Sequence, residues 1–325
     1  RPSELGEAYA RELQERVLDP IGMTRTTLDF AEAEADGDHA TPHGLRLDYE
    51  YTPLALETES FVAPVAPAGA IWSSANEMAL YLQTELSRGV APDGTRVVSA
   101  ANLEETWQPQ VAVDAETDYG LGWFIGEFFG HVLIDHGGNT YGFSSDLAFL
   151  PDAGVGIVVL ANAQGSNLFT EGVRYRLFEL VFDQPAANDA LIDFALDQVE
   201  QTSTAVKEQL ADRADPSAVA PFIGRYTNDD LGDVTLSLDG DRLMMDAGEF
   251  RTELRPLKQM VPGVPGYLMF DPPLAGLQVE LRMLATDGEP QVVIWAGTDA
   301  YTLTLIEAER PSASPVAIGS PQAAA

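Results

Sequence analysis

The residues whose types and spacing could do chemistry gather in one short run, Asp135-His136-Gly137-Gly138-Asn139. An imidazole there can orient a substrate carbonyl or carboxylate, or exchange a proton with it. Glycines beside it let the backbone approach a ligand closely, because no Cβ intervenes. What the run lacks is a nucleophile. The chain contains no cysteine, which excludes thiolate attack together with disulfides, zinc-thiolate sites and iron–sulfur clusters. Of its 18 cationic residues only Lys207 and Lys258 are lysines, and three residues before them stand Thr204 and Arg255. A Ser-x-x-Lys arrangement, in which a lysine relieves the serine of its proton, therefore occurs nowhere in the chain.

Other candidates reduce to plainer readings. His39 and His43 stand four apart after Asp36 and Asp38, but without a helix or a further Glu an acidic loop explains them better than a metal site. Asp229, Asp230 and Asp233 read as an acidic turn between strands rather than a calcium loop. Thr204-Ala-Val-Lys207 and Tyr226-Thr-Asn228 imitate two catalytic motifs and are rejected, because they follow the His136 run and fall in a connector and a β-rich region. No metal and no organic cofactor is expected.

The elements that must position His136 are strands. Tyr119 to Phe128, His131 to His136, Ser144 to Leu150 and Gly154 to Leu160 alternate or run apolar between Gly, Asp and Pro turns. A helix over Glu171 to Phe182 follows, with Val173, Leu177, Leu180 and Val181 as its apolar side. Upstream, Glu4 to Leu18 is a helix stopped by Pro20, Trp72 to Leu86 a helix capped by Ser74 with Glu77 three residues on, and Ser99 to Trp107 a third. Tyr119 to Trp123 are read as strand packing without a chemical role. Residues 185–216 form a helical connector, and 217–310 carry eight short strands that suggest a small β-barrel. The Pro/Ser/Ala tail at 311–325 reads as disordered.

Taken in order, Asp19-Pro20-Ile21-Gly22-Met23, Ala40-Thr41-Pro42-His43, Pro67-Ala68-Gly69-Ala70, Tyr119-Gly120-Leu121-Gly122-Trp123, the His136 run, Phe149-Leu150-Pro151-Asp152 and Val158-Val159-Leu160-Ala161-Asn162 resemble the serine β-lactamase and penicillin-binding-protein-like hydrolases. The likeness is to the C-terminal part of the class C-related group, which includes esterases and D-aminopeptidases, and it covers residues 1–184. It implies an α+β fold, an antiparallel sheet with helices whose N-terminal part is missing, followed by a small all-β, lipocalin-like barrel. It further implies acyl-enzyme hydrolysis of an ester, amide or lactam. In that family a Lys-Thr-Gly or His-x-Gly triplet on an edge strand completes the cleft, a place taken here by His136-Gly137-Gly138. The N–H of Asn139 then corresponds to one oxyanion donor, the nucleophile's own N–H being the other. By the same likeness His43 stands at the cleft mouth.

The nucleophile motif belongs upstream of Met23 in this family, so the chain is expected to be inactive alone, with part of its first core exposed. The rival reading is a catalytically silent module that binds peptide or cell-wall fragments. The partner is a small-molecule or peptide substrate under either reading. Across 325 residues the formal net charge is −33, which argues against nucleic acid and anionic membrane as partners. No apolar run reaches the roughly 20 residues of a membrane helix, so no membrane insertion is expected; the family implies an extracytoplasmic, periplasmic or secreted setting. An acidic surface of this density also fits a halophilic source, since salt screens self-repulsion. Substrate identity and oligomeric state are left open by the sequence.

Overall fold

The computed structural model describes residues 2–258, 266–285 and 288–308; the tail expected to be disordered at 311–325 lies outside them. The chain divides into two compact units. One runs from the N-terminus to Glu208 and includes Asp271–Ala275; the other comprises Gln209–Phe270 and the residues from Gly276 onward.

In the first unit, α1 (Pro2–Leu13) passes through a π-type turn (Gln14–Leu18) into α2 (Asp19–Ile21), which ends at Gly22 with φ of 90°. Pro20 does not stop the helix, as its sequence predicted. Proline removes one N–H and crowds the carbonyl four residues back, and the widened turn just before it relieves both conflicts. Leu18, Ile21 and Met23 then form a buried cluster with Met78 and Tyr81 packed against it.

The next segment holds only short elements: α3 (Phe30–Asp36), the hairpin β1 (His43–Leu45) and β2 (Tyr51–Pro53), a 3-10 stretch (Leu56–Val65) and α4 (Ala66–Gly69). Helix α5 (Ala75–Leu86) is capped by Ser74, whose oxygen accepts the Glu77 N–H at 3.3 Å, a contact worth about 1 kcal/mol. The Glu77 carboxylate does not reach back to close a capping box; it accepts from the Arg25 N–H at 2.9 Å and the Thr26 hydroxyl at 2.6 Å. Ser99 caps α6 (Ala100–Thr106) in the same manner.

A six-stranded antiparallel sheet follows in sequential order: β3 (Val111–Ala112), β4 (Asp118–Tyr119), β5 (Phe124–Phe128), β6 (His131–Asn139), β7 (Ser144–Leu150) and β8 (Val155–Ala161). Alternation gives it two faces. Ile134, Leu147 and Phe149 join Leu82 of α5 and Leu103 of α6 in one cluster, while Leu133, Ala148 and Leu150 meet Phe178 of α7 (Asn167–Val181) in another.

Helix α7 turns a different side inward from the one its apolar residues suggest. Thr170, Arg174, Phe178 and Glu179 are buried; of the four expected apolar residues Leu177 packs against the Phe178 cluster, whereas Val173, Leu180 and Val181 are 37%, 62% and 48% exposed. The cause stands on the sheet: Arg174 NH1 lies 2.5 Å from Asp135 and 2.8 Å from Asp146. Buried carboxylates need a paired cation, and Phe178, one turn on, is drawn in beside it. Helix α8 (Asp189–Gln209) follows, exposing Leu191 and Phe194.

The second unit opens with α9 (Pro216–Val219), and its strands close into a barrel. These are β9 (Gly224–Asn228), β10 (Gly232–Asp239), β11 (Arg242–Asp246), β12 (Arg251–Pro256), β13 (Gly266–Met269), β14 (Gln278–Met283), β15 (Pro290–Ala296) and β16 (Asp299–Ala308). They form an antiparallel meander in which β16 returns to β9. Tyr226, Leu236, Leu243, Met245, Val279 and Leu303 are fully buried, so the interior of this small barrel is filled by side chains.

Candidate active site

Strand β6 outruns its neighbour. Its last pairing with β5 is Asp135 opposite Phe124, and from His136 to Asn139 it pairs only with β7. Beyond Asn139 the Thr140 N–H donates to the Phe143 carbonyl at 2.9 Å and closes the hairpin. Residues of an antiparallel ladder bond alternately to one side and the other. His136 and Gly138 therefore bond toward β7, and Gly137 and Asn139 turn their N–H and C=O groups to the side that β5 has vacated. The Gly137 carbonyl is met there by the His136 ring, with Nδ1 at 2.6 Å.

That contact assigns the histidine's tautomer. A carbonyl can only accept, so Nδ1 carries the hydrogen, and Nε2 of the neutral ring is an acceptor. The Tyr119 hydroxyl from β4 donates to it at 3.1 Å. The reading of Tyr119 as packing alone is corrected here: β5 has ended at this level, so a side chain from β4 can reach β6. Phe124 lies beside the imidazole with ring centroids 5.4 Å apart, while Trp123 is the residue that packs, 8% exposed in the core.

The two glycines have different surroundings. A Cβ on Gly138 would fall 2.6 Å from Ser145 Oγ, whereas one on Gly137 would make only ordinary contacts, the nearest at 3.5 Å. The Gly138 contact is with the end of a serine side chain that can rotate aside, so neither glycine is forced by the backbone of the neighbouring strand. The Asn139 side chain is held away from that edge. It donates to Asn167 Oδ1 at 2.7 Å, and buried Ser144 Oγ lies 2.8 Å from its Oδ1. What Asn139 offers to the edge is its backbone N–H.

The hairpin after Asn139 is clamped from several sides. The His43 N–H donates to the Gly142 carbonyl at 3.2 Å, and a Cβ on Gly142 would fall 2.2 Å from Pro42 Cβ. His43 Nδ1 faces the carbonyls of Thr41 and Asn162 at 2.9 and 3.1 Å, which ties the ring to both segments. Glu59, 2% exposed, has its Oε1 buried without a hydrogen-bond partner among the described residues, and burial raises its pKa although the nearby Thr140 hydroxyl and Gly142 N–H favour its charged form. Glu59 carried no sequence signal in a chain so rich in carboxylates.

On the opposite face of β6, Asp135, Arg174 and Asp146 form the buried ion cluster, and burial pushes Asp146 up to about 6 against the attraction of Arg174. A cavity of about 760 Å³ on that side is lined by Glu116, Glu127, Asp135, Glu171, Arg174 and Tyr175, on the far face from His136. Among the described residues no three His, Asp or Glu side chains gather as metal ligands. Of the two imitation motifs, Thr204 and Lys207 lie on α8. Tyr226 is buried in the barrel, donating to the Phe222 carbonyl at 2.8 Å.

Residues 1–182 match the Beta-lactamase family. Among curated relatives, the unguisins hydrolase ungD' of Aspergillus campestris is 27% identical over 52% of this chain and 32% of its own length. Penicillin-binding protein 4 of Amycolatopsis lactamdurans is 29% identical over 54% of this chain and 47% of its own. The chain thus spans about a third to a half of the length of the curated relatives it matches. Among solved structures, the octameric penicillin-binding protein homologue from Pyrococcus abyssi aligns with 91% of this chain and 59% of that one, at 18% identity and a TM-score of 0.46. A β-lactamase from Sulfitobacter sp. EE-36 aligns with 54% of each chain, at 21% identity and a TM-score of 0.44. A family match that runs through more than half of the residues, with the whole of β6 and both of its flanking hairpins inside it, makes this chain a member of the Beta-lactamase family.

Proposed function

We propose that residues 136–139 are the substrate-holding edge of an acyl-transfer site that hydrolyses an ester, amide or lactam. The observation that carries this reading is the open stretch of β6, where Gly137 and Asn139 direct backbone groups to a side no other strand occupies. A substrate laid along it would gain main-chain hydrogen bonds as an added strand does. Its reacting carbonyl would sit at the Asn139 N–H, the position at which an oxyanion is stabilised. His136, kept in place by the Gly137 carbonyl and Tyr119, would orient the substrate's far carbonyl or carboxylate. The roles are thus His136 as the catalytic-cleft side chain and Gly137, Gly138 and Asn139 as substrate-binding residues.

Without a Ser-x-x-Lys in its 325 residues, the chain alone is proposed to be inactive, with the nucleophile supplied by residues upstream of Arg1. An extracytoplasmic setting, as is usual for such hydrolases, belongs to the same proposal. The alternative is a silent module that binds peptide or cell-wall fragments on the same edge; the clamped, prebuilt hairpin suits binding as well as catalysis. The coding sequence before Arg1 separates them. An in-frame Ser-x-x-Lys followed by Tyr-x-Asn, with ester or amide hydrolysis by the longer product that His136→Gln diminishes, is expected for the enzyme; a start codon beside Arg1 would leave the binding module.

A further inference from the structure

We infer that the cavity on the reverse face of β6 is a binding site for a cationic amino acid, lysine or arginine, with the ligand's carboxylate at Arg174 and its cationic groups at the surrounding glutamates. The cavity measures about 760 Å³, and all of its lining residues belong to the first unit. Such a volume suits a small organic ligand. Its floor is given by strand pairing: Phe124 stands opposite Asp135 and Gly126 opposite Leu133, which puts these positions on one face of the sheet. Helix α7 supplies the facing wall through Glu171, Arg174 and Tyr175, which their spacing of three and four residues sets on one side of the helix.

The observation that calls for a ligand is at Arg174. Its side chain is 4% exposed and its Nη1 is committed to Asp135 and Asp146, yet its Nε is buried with no hydrogen-bond partner among the described residues. A buried donor left unpaired is costly, and an acceptor entering the cavity that Arg174 lines would relieve it. The guanidinium is already held in place, its Cζ lying 4.7 Å from the Tyr175 ring, and a fixed planar guanidinium suits a carboxylate. The rest of the lining decides the other half of the ligand. Glu116, Glu127, Glu171 and Asp135 surround the space, and Arg174 is the one cation among the lining residues, so the ligand must be net positive. A simple anion is repelled there, and a plain diamine leaves Arg174 Nε unpaired. A carboxylate joined to two cationic groups answers both demands. Gly126 leaves the room for it, since a Cβ there would meet only the Glu116 carbonyl, at 4.0 Å.

The test is isothermal titration calorimetry of the full chain in molar KCl, which screens diffuse attraction to its net charge of −33. The probes are lysine, norleucine, which lacks the side-chain ammonium, and cadaverine, which lacks the carboxylate. We expect lysine to bind one-to-one and about tenfold more tightly than either analogue. Gly126→Val fills the cavity with a residue that suits a strand and is expected to abolish saturable binding. Glu171→Gln removes one carboxylate of the lining and is expected to weaken lysine about threefold at a native melting temperature; it decides the case if the valine variant fails to fold. No saturable heat with lysine, cadaverine or norleucine binding as tightly as lysine, or an unchanged lysine affinity in Glu171→Gln or in folded Gly126→Val would overturn the inference. The reading of β6 as the substrate edge is independent of all these outcomes.

Discussion

Replacing Asp146 by asparagine should change how stability depends on pH by an amount the structure sets. Asp146 is 2% exposed, its Oδ1 lies 2.8 Å from Arg174 NH1, and its Oδ2 is buried without a hydrogen-bond partner. Burial raises its pKa from 3.8 to about 6, with Arg174 pulling the other way and Asp135 and Glu171 adding to the rise. Between those values the folded chain holds a proton that the unfolded chain has released. Stability therefore falls as pH rises through this window. The displacement corresponds to about 3 kcal/mol, present in full below pH ~4 and lost above pH ~6. Asparagine cannot titrate yet keeps an oxygen for Arg174. Urea unfolding followed by tryptophan fluorescence, at steps from pH 4 to 8, should show Asp146→Asn gaining about 3 kcal/mol on the native chain across the range. Other titrating groups cancel in that difference, so a constant offset at every pH would refute the argument. Arg174→Met is the converse: it leaves buried Asp146 and partly buried Asp135 without their cation, costs about 3–5 kcal/mol at pH 7, and should recover part of that loss below pH 6.

Three further outcomes are expected. Glu85 is pushed from 4.5 up to about 7 by burial, against the weaker opposing influence of the nearby Tyr81 hydroxyl and Trp107 indole. Glu85→Gln should therefore remove about 3 kcal/mol of stability loss between pH 5 and 8, and a denaturation profile parallel to the native one would count against it. Gly142→Ala sets a Cβ 2.2 Å from Pro42 Cβ and should lower stability by about 1–3 kcal/mol; a native-like melting temperature would contradict the clamp. With a net charge of −33, the melting temperature should climb as KCl rises from millimolar to molar, and a flat or falling curve would remove the halophilic reading.

The sequence was most informative where local signals agree with the tertiary environment. Ser74 and Ser99 cap the helices expected of them, and the alternation in β6 and β7 marks two buried faces because both faces are covered. The eight barrel strands are legible because inward positions such as Val279 and Leu281 alternate with outward ones. Arg174 misleads because helical periodicity counts apolar residues, whereas the side of α7 that turns inward answers to two carboxylates on another element. Pro20 misleads because a π-type turn suspends the usual rule. At the site, the His136 run was visible as residue types, but its significance depends on where β5 stops, which is a property of pairing. The Tyr119 contact follows from that geometry and has no local signature.

The central claim, that this chain supplies the substrate edge of an acyl-transfer site but no nucleophile, is tested most directly by mass spectrometry of the purified chain after treatment with a fluorophosphonate and with penicillin. The account predicts an unmodified mass with both reagents. A stoichiometric adduct mapped to any serine of the 325 residues would contradict it.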